Sequence, residues 1–262
     1  MVFAYLFSYA LIVFMADVLK EKYTNTELLE LNLDIDYQTC IKNIKDESCD
    51  DFLKIFSIVN LDTIHNQDDA ESLIECLTNH STPLREACAL KIEELINNDS
   101  KYFLSEFSQN KILNAIIDIN PNVSRAICNV LKTNLELSNS LEESIILNIE
   151  NLLNDIKEYE KEFGDYFDNK IKNTKNHAKN KKLFSLYWYL EALAICLTKR
   201  HEKRVLKILE NTINFLDFTI REKTTLVALK LGDTAKEILQ KAKQDQNFYV
   251  KNLVYDKIIH ED

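Results

Sequence analysis

A chain of 262 residues is long enough to bury a sizeable core. Its 2 Gly and 2 Pro are too few turn-formers for a many-stranded sheet protein, and its 46% hydrophobic residues are too many for disorder. A formal net charge of -10 excludes a protein that coats nucleic acid or an anionic membrane with its whole surface.

From Val2 to Phe14 the chain is apolar apart from Ser8 and tyrosine hydroxyls. The run falls short of the roughly 20 residues that span a bilayer, so no transmembrane span is expected, and no Lys or Arg precedes it as in a signal peptide. Three readings stay open: a translated upstream segment with initiation at Met15, a weak anchor or signal, or a packed helix. Residues 1–14 are therefore set apart as an apolar N-terminal extension, and 15–262 are read as one helical-repeat domain. Leu31 to Ile35 is a strand-like stretch too short to change the class. Tyr37 to Lys45 and Asp50 to Val59 are helical patches, taken as an atypical N-terminal cap.

Between Asp68 and Leu137 apolar residues recur with helical period in four blocks, each closed by a turn signal. Asp68 to Asn79 is a first helix; Thr82 as N-cap and Pro83 open a second, with Leu84, Cys88, Ile92, Leu95 and Ile96 on one face. Tyr102 to Ile119 is a third, and Asn120-Pro121 opens a fourth carrying Val123, Ile127, Val130, Leu131 and Leu135. The two prolines thus hold the same place in consecutive units, an internal repeat. Leu141 to Tyr159 follows, opened by Ser140 and Glu143 as a capping box. Residues 163–182 lose the periodicity and read as an irregular basic insertion. Leu183 to Leu197, apolar nearly all round, reads as a helix buried between neighbouring repeats. His201 to Phe215 carries Val205, Leu209, Ile213 and Leu216 on its stripe. Thr219, with Glu222 as capping box, opens a helix that runs to Leu231 before Gly232. Thr234 to Ala242 and Phe248 to Ile259 close the chain.

The segment Thr219-Ile220-Arg221-Glu222-Lys223-Thr224, continued by Leu229-Lys230-Leu231-Gly232-Asp233-Thr234-Ala235, resembles the HEAT repeat, especially its short bacterial form. Phe248-Tyr249-Val250-Lys251 and Thr82-Pro83-Leu84-Arg85-Glu86-Ala87 look like the same second-helix start. Asn120-Pro121-Asn122-Val123 does too, with Ser124 where the family carries Arg or Lys. The resemblance covers about half the chain and implies an all-α fold, an α-solenoid of stacked antiparallel helical hairpins. Such a hairpin hides its second apolar stripe only by stacking on neighbours. In the family the basic residue at this place is structural, so Arg85, Arg221 and Lys251 imply no catalysis.

Chemistry is sparse. Between Lys170 and Leu209 eleven Lys or Arg stand against two acids. If the flanks of the buried helix meet, Lys179, Lys181, Lys182, Lys199, Arg200, Lys203 and Arg204 would form a surface for an anionic partner. The plainer reading is a solvated loop and helix end. Tyr187-Trp188-Tyr189 beside Glu191 invites comparison with HEAT-like DNA glycosylases that act on alkylated bases, against the plainer reading of an aromatic core helix. Cys76, His80 and Cys88 could converge on zinc, but no fourth ligand is evident and buried thiols explain them better. The six cysteines contain no Cys-x-x-Cys pair and suit a reducing cytoplasm. No nucleophile–base constellation and no phosphate-cradling glycine loop is present, so no catalytic residue, cofactor or metal is implied. The expectation is a non-catalytic, cytoplasmic scaffold that binds a protein partner. Its rival is a nucleic-acid-binding or alkylated-base-repair protein that uses the basic patch.

Overall fold

The computed structural model of the chain describes residues 36–163 and 174–260. Among these residues the fold is helical and holds no strand. The elements are α1 (Tyr37–Lys45), α2 (Asp51–Val59), α3 (Gln67–Glu75), α4 (Thr82–Asp99), α5 (Glu106–Ala115), α6 (Pro121–Thr133), α7 (Leu135–Phe163), α8 (Thr174–Cys196), α9 (Glu202–Thr212), α10 (Phe218–Leu231), α11 (Lys236–Lys243) and α12 (Phe248–His260). Residues 1–14 and the strand-like Leu31 to Ile35 lie outside the described residues.

Packing follows two series. The odd-numbered helices from α1 to α9 each touch the next odd one, and the even-numbered helices from α2 to α12 each touch the next even one. Pairs adjacent in sequence, such as α1 with α2 or α7 with α8, also pack together. The apolar positions read from the sequence supply the core: Leu84, Cys88, Ile92, Leu95, Ile96, Val123, Ile127, Val130, Leu131, Val205, Leu209, Ile213, Ile220 and Val250 are all buried. Two positions differ. Leu135 and Leu216 are each 74% exposed, because the stripe each was assigned to ends at a turn that carries the residue outward.

Helix starts are set by side-chain oxygens that accept from the first free amides. Asp36 accepts from the amide of Thr39, Asp50 from Phe52, Asn66 from Asp69, Ser105 from Ser108 and Asn120 from Asn122. Several starts move accordingly. Tyr102 belongs to a 3-10 turn, and α5 begins only after Ser105. Thr82 is already helical and follows Ser81. Asp217 caps α10 by accepting from both the amide and the hydroxyl of Thr219. No capping box opens at Ser140, whose hydroxyl donates to the Leu137 carbonyl inside α7, and α7 starts at Leu135. Part of the irregular insertion is ordered helix, since α8 starts at Thr174. Gly232 ends α10 with φ 62°, a backbone angle that favours glycine.

One polar device recurs. Arg85 stands four residues after Ser81 and donates through one guanidinium nitrogen to the carbonyls of Asn79 and His80, closing the turn that precedes its own helix. Its other nitrogens hold both oxygens of Asp118, at 2.6 and 3.1 Å, in the turn before α6. Arg221 does the same with the carbonyls of Phe215 and Leu216 and with both oxygens of Asp245, before α12. Asp118 and Asp245 each also accept from the amide two residues on, at 2.7 Å. Ser124, at the corresponding place, donates its hydroxyl to the Asp118 carbonyl six residues back. It keeps the turn-closing half of the device and lacks the reach to the next unit.

Candidate functional site

The basic stretch is drawn apart by the helix it flanks. Lys181 lies near the start of α8, whereas Lys199, Arg200 and Lys203 follow its end, and the α8 residues between them span roughly 22 Å at 1.5 Å per residue. Both flanks nevertheless meet α7, where Lys182 and Arg204 reach acids five residues apart, Asp155 and Glu150. Three of the seven residues are also neutralised by α7. Lys179 is buried and 2.9 Å from Glu160; Lys182 is 2.6 Å from Asp155. Arg204 on α9 grips both oxygens of Glu150, at 3.1 and 2.7 Å, and reaches Glu143 at 3.4 Å. That grip holds the Glu150 carboxyl below its ordinary pKa and raises Arg204. Lys181, Lys199, Arg200 and Lys203 are exposed, with no carboxylate at ion-pair distance among the described residues.

The turn that carries Lys199 and Arg200 is anchored from below. Glu142 of α7, buried, accepts from the amide and hydroxyl of Thr198, both at 2.7 Å, and Thr198 in turn accepts from the amide of Arg200. A buried carboxylate satisfied by an amide and a hydroxyl is a strong positional constraint. Nothing in the sequence marked Glu142, because its partner lies on a helix end far along the chain.

The other candidate lies on the even-numbered helices. Along α8, Phe184, Tyr187, Glu191 and Ile195 recur at steps of three and four and are half-buried, so they form the surface stripe of that helix. Lys223 of α10 crosses to this stripe, with its Nζ 2.8 Å from a Glu191 oxygen and 4.8 Å from the Tyr187 ring centroid. Burial works to lower the Lys223 pKa, but the Glu191 carboxylate and Tyr187 outweigh it and leave it raised. Trp188 packs edge-on to Tyr187 at 5.2 Å and to Phe184 at 6.3 Å; it is 8% exposed, and its indole N–H has no hydrogen-bond partner among the described residues. Tyr189 turns inward, where its hydroxyl accepts from Asn148, and burial pushes its pKa up to about 12. Of the three consecutive aromatics only Tyr187 therefore meets the surface, and the single acid beside them is neutralised by a lysine.

No protein-family model matches the chain, and no characterised protein matches its sequence. Function must be read from these surfaces.

The Cys76 and Cys88 thiols turn to backbone carbonyls. Cys88 turns its thiol onto the Leu73 carbonyl at 3.0 Å, Cys76 onto the Ser72 carbonyl at 3.7 Å, and His80 is exposed. Burial raises both thiols, Cys76 to about 11, which opposes the thiolate form that metals bind. Cys128 and Cys196 are likewise pushed up to about 12 by burial. Among the described residues no group of three His, Cys, Asp or Glu could hold a metal ion, and no helix is long and apolar enough to cross a membrane.

Proposed function

We propose that the chain is a HEAT-like α-solenoid that serves as a non-catalytic scaffold for a protein partner. The observation that carries this reading is the repeated arginine clamp. In two units an arginine at the same distance from its cap closes its own turn and grips an aspartate in the following turn, as stacked repeats with equivalent neighbours require. The alternating packing of odd and even helices agrees with it.

A stack of this kind offers its partner a row of parallel helices, and the even-numbered row has the chemistry of a recognition surface. The half-buried Phe184, Tyr187 and Ile195 of α8 lie on the same row as Leu226 of α10, with the Lys223–Glu191 pair set among them. Aromatic residues fixed by packing and bordered by charge are the kind that dominate protein interfaces. The opposing reading, nucleic-acid binding, draws less support from a basic stretch that is partly neutralised by α7.

The test compares two sets of captures. Partners recovered with the parent chain are compared with those recovered by the Tyr187→Ser, Leu226→Ser double variant, and a labelled DNA duplex is titrated at low and moderate salt. A partner lost from the variant, with no salt-dependent duplex binding, supports the scaffold. Duplex binding that weakens steeply with salt overturns it.

A further inference from the structure

Five cations among the described residues are buried, and four of them hold a carboxylate. Arg85 has Asp118, Lys91 has Glu94, Lys179 has Glu160 and Lys223 has Glu191, at 2.6 to 2.9 Å. Lys54 of α2 is the fifth. It is 8% exposed, and no carboxylate among the described residues lies at ion-pair distance from its ammonium. Steps of three and four from Lys54 lead to the buried Ser57 and Ile58, so the lysine occupies the inward stripe of its helix, where an apolar residue is the rule. A desolvated charge without a partner is costly there.

Lys54 lines an open cavity of about 550 Å³ between α1, α2, α3 and α5, a volume within the range of small-molecule sites. Ile44, Cys76 and Phe107 give the cavity apolar walls, and the Phe107 ring is 40% exposed. Burial raises the Cys76 thiol and the Lys54 charge opposes that rise, so the ammonium lies toward this wall. Four acids line the cavity as well. Asp68 is answered by Lys45 and Glu75 by Lys111, whereas Glu47 and Glu71 have no cation at ion-pair distance among the described residues. The unanswered cation is thus buried, and the unanswered acids stand further out, Glu71 half-buried and Glu47 exposed.

We propose that this cavity binds a small zwitterion of amino-acid or dipeptide size, with its carboxylate on Lys54 and its ammonium at Glu47 and Glu71. The carboxylate gives Lys54 the partner that each of the other buried cations already has. Charge selects the rest of the ligand. Two lysines and four acids line the cavity, so a phosphate dianion would meet a net repulsion, whereas a molecule that carries its own cation satisfies both ends. The site lies on the first five helices, away from the α8 and α10 surface proposed for a protein partner, and neither reading depends on the other.

The test screens the full 262-residue chain by ligand-observed NMR against pools of the free proteinogenic amino acids and a dipeptide library. Each hit is then compared with its amide, which lacks the carboxylate, and with its deaminated acid, which lacks the ammonium. Both analogues should bind at least about tenfold more weakly. Lys54→Met should lose the hit while the thermal midpoint of the ligand-free chain holds or rises, because methionine fills similar space without an unpaired charge. Glu47→Gln with Glu71→Gln should weaken the hit and leave the deaminated acid unchanged, a reading independent of how Lys54→Met folds. The proposal is overturned by the absence of any hit, or by a hit that Lys54→Met retains. A deaminated acid or inorganic phosphate that binds as tightly as the hit would make the cavity a plain anion site and overturn it too.

Discussion

Arg221 and Asp245 face each other through two hydrogen bonds of 2.6 and 3.0 Å, and both are largely withdrawn from water. The same guanidinium donates to two carbonyls of its own turn, so one side chain ties α10 to its entrance and to the turn before α12. Such a fork needs a planar, five-donor group. Asp245→Ala should therefore cost about 2 kcal/mol, because it strands a desolvated guanidinium as well as removing the pair. Arg221→Lys should cost about 1 kcal/mol, since an ammonium keeps the charge and loses the fork. Denaturant midpoints at constant m-value are the measurement, and equal midpoints for parent and Asp245→Ala would dismiss the clamp as an ornament.

Ile220 is fully buried on α10, next to the clamp. Ile220→Asp places a charge out of reach of water, so the variant should lose several kcal/mol, enough to abolish cooperative unfolding if the parent is of ordinary stability. Ile220→Val, which removes one methylene, should cost about 1 kcal/mol. The pair of variants separates burial from register. If the aspartate is tolerated while the valine is not, the side chain reaches water.

Much of this arrangement is legible in the chain because helices announce themselves through period. Val123, Ile127, Val130 and Leu131 recur at steps of three and four, and all are buried. Boundaries are harder, because a cap is chosen by backbone geometry that several neighbouring hydroxyls and carboxylates could satisfy; Asp217 caps α10 where Thr219 was expected. The neutralisation within the basic stretch is hidden for a different cause. Its charges are near one another in sequence, but the acids that answer them, Glu150, Asp155 and Glu160, lie on α7, and only packing brings the two together.

Acid should loosen the structure at identifiable points. The Arg221 guanidinium holds Asp245 below its ordinary value of 3.8, and Arg204 holds Glu150 below 4.5. A carboxyl whose folded pKa is depressed binds fewer protons when folded than when unfolded. Its contribution is complete above the unfolded value and is lost as pH falls through the folded one. Thermal midpoints should therefore drop as pH falls from about 4.5 to below 3.8, and Asp245→Asn should flatten the lower part of that fall. A variant that tracks the parent across this range would remove Asp245 from the account.

The basic residues should divide by position. Replacing the exposed Lys181, Lys199, Arg200 and Lys203 by Ser should change stability by less than about 0.5 kcal/mol, as solvated side chains do. Arg204→Gln, which releases two acids of α7, should cost up to about 1 kcal/mol and less at high salt, since the arginine is itself partly exposed. If the scaffold reading holds, neither change alters partner recovery at moderate salt. Loss of partners from the fourfold variant alone would return the binding surface to the basic stretch.

The pair between Lys223 and Glu191 offers the sharpest separation of structure from recognition, because it joins α8 to α10 and also borders the surface of Tyr187. Lys223→Met leaves Glu191 half-buried without its cation, which should cost about 2 kcal/mol. Adding Glu191→Leu removes the stranded charge, and the double variant should recover most of that loss, since apolar side chains of similar volume can replace a desolvated pair at little cost. Partner binding, measured on this refolded double variant, then reads the surface alone. A partner that stays bound makes the charges a structural tie between the two helices. One that is lost while the unfolding midpoint is restored shows that the Lys223 and Glu191 charges themselves are recognised.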